Sequence, residues 1–319
     1  MDLLTDLLQQ AGLRRRPLNL RALAPGMALR FPCPKSLGLH ALLRGQVYVH
    51  APDLGEPIRM QAGDALVMAR GVTHTLSLDA KPPDPETETA VCSVLDSPEH
   101  AFDPNADTQL LSGAYQFWNE PLHPFLRDLP AWSVIRKDSL TALSPLPLTL
   151  GLLDRELRAP ALGVAAVTNG LMDALFSFAL RELSERLGQS QSGWHAAVRD
   201  APIRTVLARM HEDPAHAWTL EELARAAGLS RTVLAERFRT ALGDTPLNHL
   251  RTLRMQRAMH LLSTTEHALE RIAGLVGYQD AFGFSKVFKR CTGMAPRQFR
   301  EQDRQSQQDP WRFQSAVTA

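Results

Sequence analysis

One phrase occurs twice in this chain. "FRTALGDTPLNHLR" begins at Phe238 and "FKRCTGMAPRQFR" begins at Phe288, and both keep the frame Phe-basic-x-x-x-Gly-x-x-Pro. A phrase repeated after fifty residues has to fold twice, so each copy must be a small supersecondary unit built from its own local signals. Those signals are present upstream of both copies. In "WTLEELARAAGLSRTVLAERF", Thr219 and Glu222 have the spacing of a capping box, which starts a helix with Leu220, Leu223 and Ala224 facing inward. Gly228 ends that helix and Ser230 caps the next. The second helix places Val233/Leu234, Phe238 and Leu242 on one buried stripe. Helix, tight glycine turn and helix make a helix-turn-helix.

The second copy, "ERIAGLVGYQDAFGFSKVF", substitutes Ile272-Ala273 for Leu223-Ala224 and Gly277 for Gly228. Asp280 stands for Ser230, Phe284 for Leu234 and Phe288 for Phe238, with one extra residue in the turn. Gly243 and Pro246 close the first copy as Gly293 and Pro296 close the second. Between them, "LNHLRTLRMQRAMHLLS" predicts a helix with Leu247, Leu250, Leu253/Arg254, Ala258 and Leu261/Leu262 as its apolar positions. Seventeen residues span about 25 Å, suited to holding two recognition helices roughly one DNA turn, about 34 Å, apart.

Charge agrees with that use. The net charge is +1, yet residues 201–300 hold 15 Lys/Arg against 9 Asp/Glu. A basic third beside an acidic remainder fits nucleic-acid contact in that third alone.

The preceding residues read differently. Residues 1–12 have leucines at helical spacing, and from about Arg14 to Leu78 short strand-like segments ("QVYVH", "PIRM", "DALVMA", "HTLSL") alternate with turn residues. Residues 79–108, rich in Pro, Asp and Glu, predict a long loop with one strand around Val91–Leu95. "LLSGAYQF" resumes strand character, and the stretch from "LPLTL" to "SERL" predicts helix, with Leu171, Leu175, Phe178 and Leu183 near one face. Further apolar residues off that stripe predict a second packing partner, the same helix of a twin chain in a homodimer. "GQSQSG" reads as a linker.

The expected fold class is therefore α+β multidomain: an N-terminal β-barrel with following helices, and a C-terminal all-α domain with two helix-turn-helix units. The expected boundaries are 1–187, a linker at 188–193, the helical domain at 194–301 and a flexible tail at 302–319. No run approaches the roughly 18 apolar residues of a membrane span. The acidic-then-basic start, "MDLLTDLLQQAGLRRR", is the reverse of a secretory signal, which predicts a cytoplasmic protein. Three scattered cysteines make no disulfide framework, and no Ser-His-Asp set or phosphate-binding glycine loop stands out.

The motifs "GYQDAFGFSKVFKRCTGMAPRQFR" and "LARAAGLSRTVLAERFRTALGDTP" resemble the two halves of the AraC/XylS family signature, over about residues 195–301. "LHALLRGQVYV" and "GDALVMARGVTHTLS" are similar to the cupin, jelly-roll-like sensor domain that some members carry, with Ala69 where the pattern has Pro. The resemblance implies a one-component transcription regulator whose partners are double-stranded promoter DNA, RNA polymerase, a small-molecule effector and a second copy of itself. The alternative is a metal-dependent cupin enzyme with a helical accessory domain.

The resemblance implies base readout from the faces opposite the buried stripes: Arg231, Thr232, Ala235, Glu236 and Arg239 in the first recognition helix, and Ala281, Phe282, Ser285, Lys286 and Lys289 in the second. Arg231 or Lys286 suits guanine, Glu236 suits cytosine N4, and Thr232 or Phe282 suits a thymine methyl. Arg239, Lys289 and Arg290, toward the helix C-termini, suit phosphates. Two alternatives stay open: Phe282 in the core, and Glu236 paired with Arg239 on the surface.

In the cupin-like segment, His40 and His74 fall where that pattern places pocket histidines, but Leu42 replaces a third. Cys33, His40 and His74 are the candidates for a pocket-mouth sensor site, either as ligands of zinc or another transition metal or as an imidazole-activated thiol. The plainer alternative is a buried cysteine and two hydrogen-bonded histidines. Asp64 reads as a turn stabiliser and His50 as solvent-facing.

Overall fold

The computed structural model describes residues 14–32, 36–84, 87–91, 105–116, 124–159, 161–187 and 193–305. The helix expected over 1–12, Cys33 and most of the loop after Val91 lie outside them. The chain forms two compact units. One comprises residues 14–116 and 130–183, the other residues 184–305 together with 124–129.

The first unit is a sandwich of two five-stranded sheets. Strands β1 (Arg14–Ala22), β9 (Gln109–Gln116), β3 (Ser36–Arg44), β6 (Ala65–Met68) and β10 (Trp132–Ile135) lie side by side in that order. The other sheet runs β5 (Ile58–Gln61), β4 (Gln46–His50), β7 (His74–Ser77), β2 (Met27–Phe31), β8 (Glu88–Val91). Every pairing is antiparallel except β2 with β8. Alternation does the sorting: in β4, Val47 and Val49 point inward while their neighbours are half-exposed. Leu42, Leu66, Met68 and Leu110 of one sheet meet Leu29, Phe31, Met60 and Leu76 of the other in a single core.

Strands β3 and β6 lack this alternation because both their faces are covered. Helix α2 (Pro145–Arg158) packs on β3 with Leu146, Leu150 and Leu153 buried. Asp64 is buried at the β5–β6 turn, accepting from Gln61 N, Lys137 N and the Arg136 guanidinium, so its role is structural as expected. His50 is half-buried rather than solvent-facing, because its Nε2 is engaged by Ser77 Oγ and the Asp79 carbonyl.

Of the strand expected around 91–95, only Val91 is among the described residues, as the end of β8, which pairs in parallel with β2. Two expectations change here. The continuous helix is two, α2 and α3 (Val164–Leu187), separated at "APALG", where Gly163 adopts φ +86°. The buried stripe of α3 is Met172, Leu175, Phe176, Ala179, Leu180 and Leu183, while Leu171 and Phe178 are half-buried. Contact with β9 sets this rotation: Tyr115 packs edge-on to Phe176 with centroids 4.7 Å apart, and its hydroxyl donates to Asp173. The off-stripe residues Met172, Phe176 and Leu180 are thereby buried within the chain, while Val167 of the same helix is exposed.

The helical unit contains α1 (Pro124–Asp128), α4 (Trp194–Arg199), α5 (Ala201–Glu212), α6 (Leu220–Ala226), α7 (Arg231–Leu242), α8 (Pro246–Thr264), α9 (Leu269–Leu275), α10 (Ala281–Thr292) and α11 (Pro296–Gln305). Helix α11 continues four residues past the expected end at 301, with Asp303 buried and Arg304 paired with Glu266. Residues 306–319 of the expected tail lie outside the described residues. No helix among the described residues is long and apolar enough to cross a membrane.

Candidate nucleic-acid interface

Each copy of the repeated phrase folds from the same local chemistry. Thr219 and Glu222 form a reciprocal capping box, with Thr219 N donating to Glu222 Oε2 at 2.8 Å and Glu222 N donating to Thr219 Oγ1 at 3.2 Å. At the turns, Leu229 N donates to the Ala224 carbonyl at 2.9 Å and Tyr278 N to the Ala273 carbonyl at 2.8 Å, a six-to-one closure at equivalent positions. Gly228 and Gly277 take φ +65° and +82° to permit it. Ser230 Oγ accepts from Val233 N and starts α7; Asp280 Oδ1 accepts from Gly283 N and starts α10. Gly243 and Gly293 end them in left-handed conformations.

Helix α7 buries Leu234, Phe238 and Leu242, and α10 buries Phe284, Phe288 and Thr292. Val233, expected beside Leu234 in the stripe, is exposed. The bridging helix α8 is 19 residues, about 28 Å. Its buried positions are more numerous than the apolar pattern suggests: His249, Met255, Gln256 and Met259 are inside, while Leu247 is exposed.

The opposite faces carry the residues singled out in sequence. Arg231, Thr232, Glu236 and Arg239 are exposed on α7, with Ala235 half-buried. On α10, Lys286, Lys289 and Arg290 are exposed, Ala281 and Ser285 half-buried. Phe282 is 82% exposed, which removes the core alternative for it. Glu236 and Arg239, both exposed, form no pair with each other among the described residues. Among the described residues, Arg231, Arg239, Lys286, Lys289 and Arg290 make no ion pair, whereas neighbouring cations are committed to the fold. Arg237 binds Asp200 at 2.7 Å, and Arg300 donates to the Leu262 and His267 carbonyls. Cations that hold the fold and cations without an ion pair are thus both present in this unit, and five of the latter lie on the two recognition helices.

Sequence reasoning missed a buried aromatic group behind α7. Trp194, His211, His249 and Phe238 lie against one another, with Phe238 and His249 centroids 5.6 Å apart. In the second copy the same place is held by Phe288 and Phe299, also at 5.6 Å. His249 stands where the repeat has Phe299, three residues after the closing Pro, and that substitution was the available signal. Burial lowers His211 to about 4, and burial with the charges of His211 and Arg127 lowers His249 to about 3.

In the β unit, His40 and His74 do meet. Their Nε2 atoms are 2.7 Å apart. They are buried, not at a pocket mouth, because Phe31 stacks on His74 and Trp132 packs edge-on against it. The carbonyl of Val72 can only accept, so His74 Nδ1–H donates to it, at 2.6 Å. His74 Nε2 then accepts from His40 Nε2–H, and His40 Nδ1 accepts from Ser112 Oγ–H at 2.8 Å. Burial keeps both rings neutral, with His74 lowered to about 4 and His40 well below its ordinary value.

This pair does not by itself fit a metal. Two nitrogen ligands of one tetrahedral zinc stand about 3.3 Å apart and leave their lone pairs to the metal. Here the nitrogens are closer and their lone pairs are used. No group of three or more His, Cys, Asp or Glu among the described residues is arranged to hold a metal ion. The third candidate, Cys33, lies outside the described residues.

Two family models match the chain, one described as Cupin over residues 2–185 and one as Helix-turn-helix domain over residues 223–302. Curated relatives include a "Putative AraC-like transcription regulator" of Streptomyces lividans, 29% identical over 94% of this chain and 98% of the relative. Another, of the same description, from Streptomyces antibioticus, is 30% identical over 94% of this chain and 99% of the relative. Among solved structures, the DNA-binding domain of AdpA in complex with a target DNA is 30% identical, covering 34% of this chain and 96% of that one with a TM-score of 0.33. A cupin sandwich joined to paired helix-turn-helix units, with such relatives, defines a transcription regulator with a DNA-binding domain. The chain belongs to the AraC-like family of these regulators.

Proposed function

We propose that this chain is a one-component regulator, not an enzyme, that reads promoter DNA with two copies of one device and acts on RNA polymerase in the cytoplasm. The observation that carries the reading is the group of five cations without an ion pair on two recognition helices that also expose Thr232, Glu236 and Phe282. Arg231, Thr232, Ala235, Glu236, Ala281, Phe282, Ser285 and Lys286 face base edges, and Arg239, Lys289 and Arg290 face phosphates. Functionally, residues 1–187 serve sensing and pairing, 188–193 link, and 194–301 bind DNA. Selection of duplexes from a random-sequence library with the full chain tests the reading. One enriched site is expected, with affinity that falls steeply as salt rises; recovery of nothing beyond random sequence would contradict it.

The sensor is placed at His40 and His74, with Cys33 as a third member. A small-molecule effector with a hydrogen-bonding group would open the His40–His74 contact. Zinc or another transition metal there requires the same opening, with Cys33 supplying a third ligand. Metal content of the purified wild type against Cys33→Ser and His74→Gln separates the two: metal lost in both variants supports the metal, and none in any supports the effector.

Two copies are proposed to pair through the exposed leucines of the β unit. Leu148 and Leu152 lie one turn apart on α2, 49% and 54% exposed, near Leu143 in sequence, which is also exposed.

A further inference from the structure

Arg254 lies in the middle of α8, the helix that joins the two helix-turn-helix units, and its apolar neighbours in sequence place it in a buried stripe. It is only half-buried, and two nitrogens of its guanidinium are engaged by backbone carbonyls. Nε donates to the Pro214 carbonyl at 2.7 Å, and one terminal nitrogen donates to the His216 carbonyl at 2.8 Å and more weakly to Ala215 O at 3.4 Å. These carbonyls belong to the turn that leads into the first helix-turn-helix. The same guanidinium lies 5.7 Å from the ring centroid of Tyr278, in the turn of the second. Gly277 completes the contact. A Cβ there would stand 2.7 Å from the Arg254 guanidinium and closer still to the Ala215 carbonyl oxygen, so the second turn comes directly against the first unit's entry turn.

The repeat sharpens the point. Arg254 follows Pro246 by eight residues, as Arg304 follows Pro296. Arg304 reaches back to Glu266, in the segment leading into the second unit. Each arginine therefore holds the entry to its own helix-turn-helix, and Arg254 in addition holds the neighbouring copy. We propose that Arg254, closed down on by Gly277, is a positioning residue that fixes the distance and rotation between the two recognition helices, and so sets which spacing of the two DNA elements this regulator accepts. The inference rests on the DNA reading above. Two linked binding modules reach their full combined affinity only when the linkage matches the span of their sites. One inserted base pair moves the second element by about 3.4 Å and turns it by about 35°, which a rigid linkage cannot follow and a loosened one can.

The test uses the full chain and the duplex recovered by selection, together with versions carrying one base pair more or fewer between the two elements. Wild type is expected to bind the altered spacings at least about tenfold more weakly than the selected one. Arg254→Met keeps the aliphatic length and removes the donors; Gly277→Ala pushes on the contact from the other side. In both, the ratio between native and altered spacing is expected to shrink toward one, with thermal melting followed in parallel. Arg254→Lys, which keeps a cation and one donor, is expected to fall between, and it is judged by the same ratio if Arg254→Met does not fold. A uniform loss across all spacings in these variants, or an unchanged ratio, overturns the proposal while leaving the DNA reading intact. A wild type indifferent to spacing also overturns it. Selection that yields no site overturns both.

Discussion

Lys286 and Lys289 are one turn apart on α10, both exposed and both without an ion pair among the described residues, yet the proposed reading gives them different tasks. Lys286 lies in the first half of the helix and Lys289 near its C-terminal end. Lys286→Ala is expected to cost roughly 1–3 kcal/mol on the selected duplex and to relax preference at one element. Lys289→Ala is expected to weaken selected and random duplexes alike and to lower the salt slope by about one. Equal losses on both kinds of DNA from Lys286→Ala would contradict its placement against bases. His249 gives a second test at this scale. It is neutral when folded, with its pKa held near 3 by burial, while in the unfolded chain it titrates near 6.5. The unfolded state therefore binds the extra proton below about pH 6.5, and stability falls as pH drops from there toward about 3. His249→Phe, the residue of the second copy, removes that penalty. Relative to wild type it is expected to gain about 2 kcal/mol between pH 7.5 and pH 5, read from denaturant unfolding. A difference that does not move with pH would mean that His249 is not held neutral.

The helices of the repeat were legible in the sequence because each boundary is chemical and local. Thr219, Ser230 and Asp280 cap as their side chains allow, and Gly228, Gly277, Gly243 and Gly293 take the positive φ that their places in the frame call for. Asp280→Ala should cost about 1 kcal/mol by removing the acceptor for Gly283 N, and Ser230→Ala a similar amount in the first copy, both seen as lowered melting temperatures. No change in either would deny the caps a stabilising role. Elements set by distant partners were not legible. Strand β10, Trp132–Ile135, is four residues long and exists because β6 offers it an edge. The rotation of α3 is set by Tyr115, which is 58 residues before Asp173. His40 and His74 were legible as a pair of interest, but their burial depends on Phe31 and Trp132, which nothing local to either histidine reveals. Arg254 was hidden for the same reason: its partners are backbone carbonyls of a turn about forty residues earlier.

At the scale of the whole molecule the chain divides its chemistry. The cupin unit keeps its two buried histidines neutral and hydrogen-bonded to each other, and the two recognition helices of the helical unit carry five cations that make no ion pair among the described residues. The first arrangement offers something for a signal to break, the second something for DNA to complete. Pairing through α2 would bring two such helical units to one operator. Leu148→Glu with Leu152→Glu is expected to halve the mass seen by light scattering at micromolar concentration while leaving the thermal melt nearly unchanged. An unaltered mass would move the pairing surface elsewhere.

The most direct measurement is guanine-methylation interference on the selected duplex, which reports where major-groove contacts are needed. Two clusters of interfering positions on one face of the DNA, about 10 base pairs apart, are expected with the full chain. Arg231→Ala should abolish interference at one cluster and Lys286→Ala at the other. A single cluster, or both substitutions acting on the same one, would contradict the reading of DNA by two copies of one device.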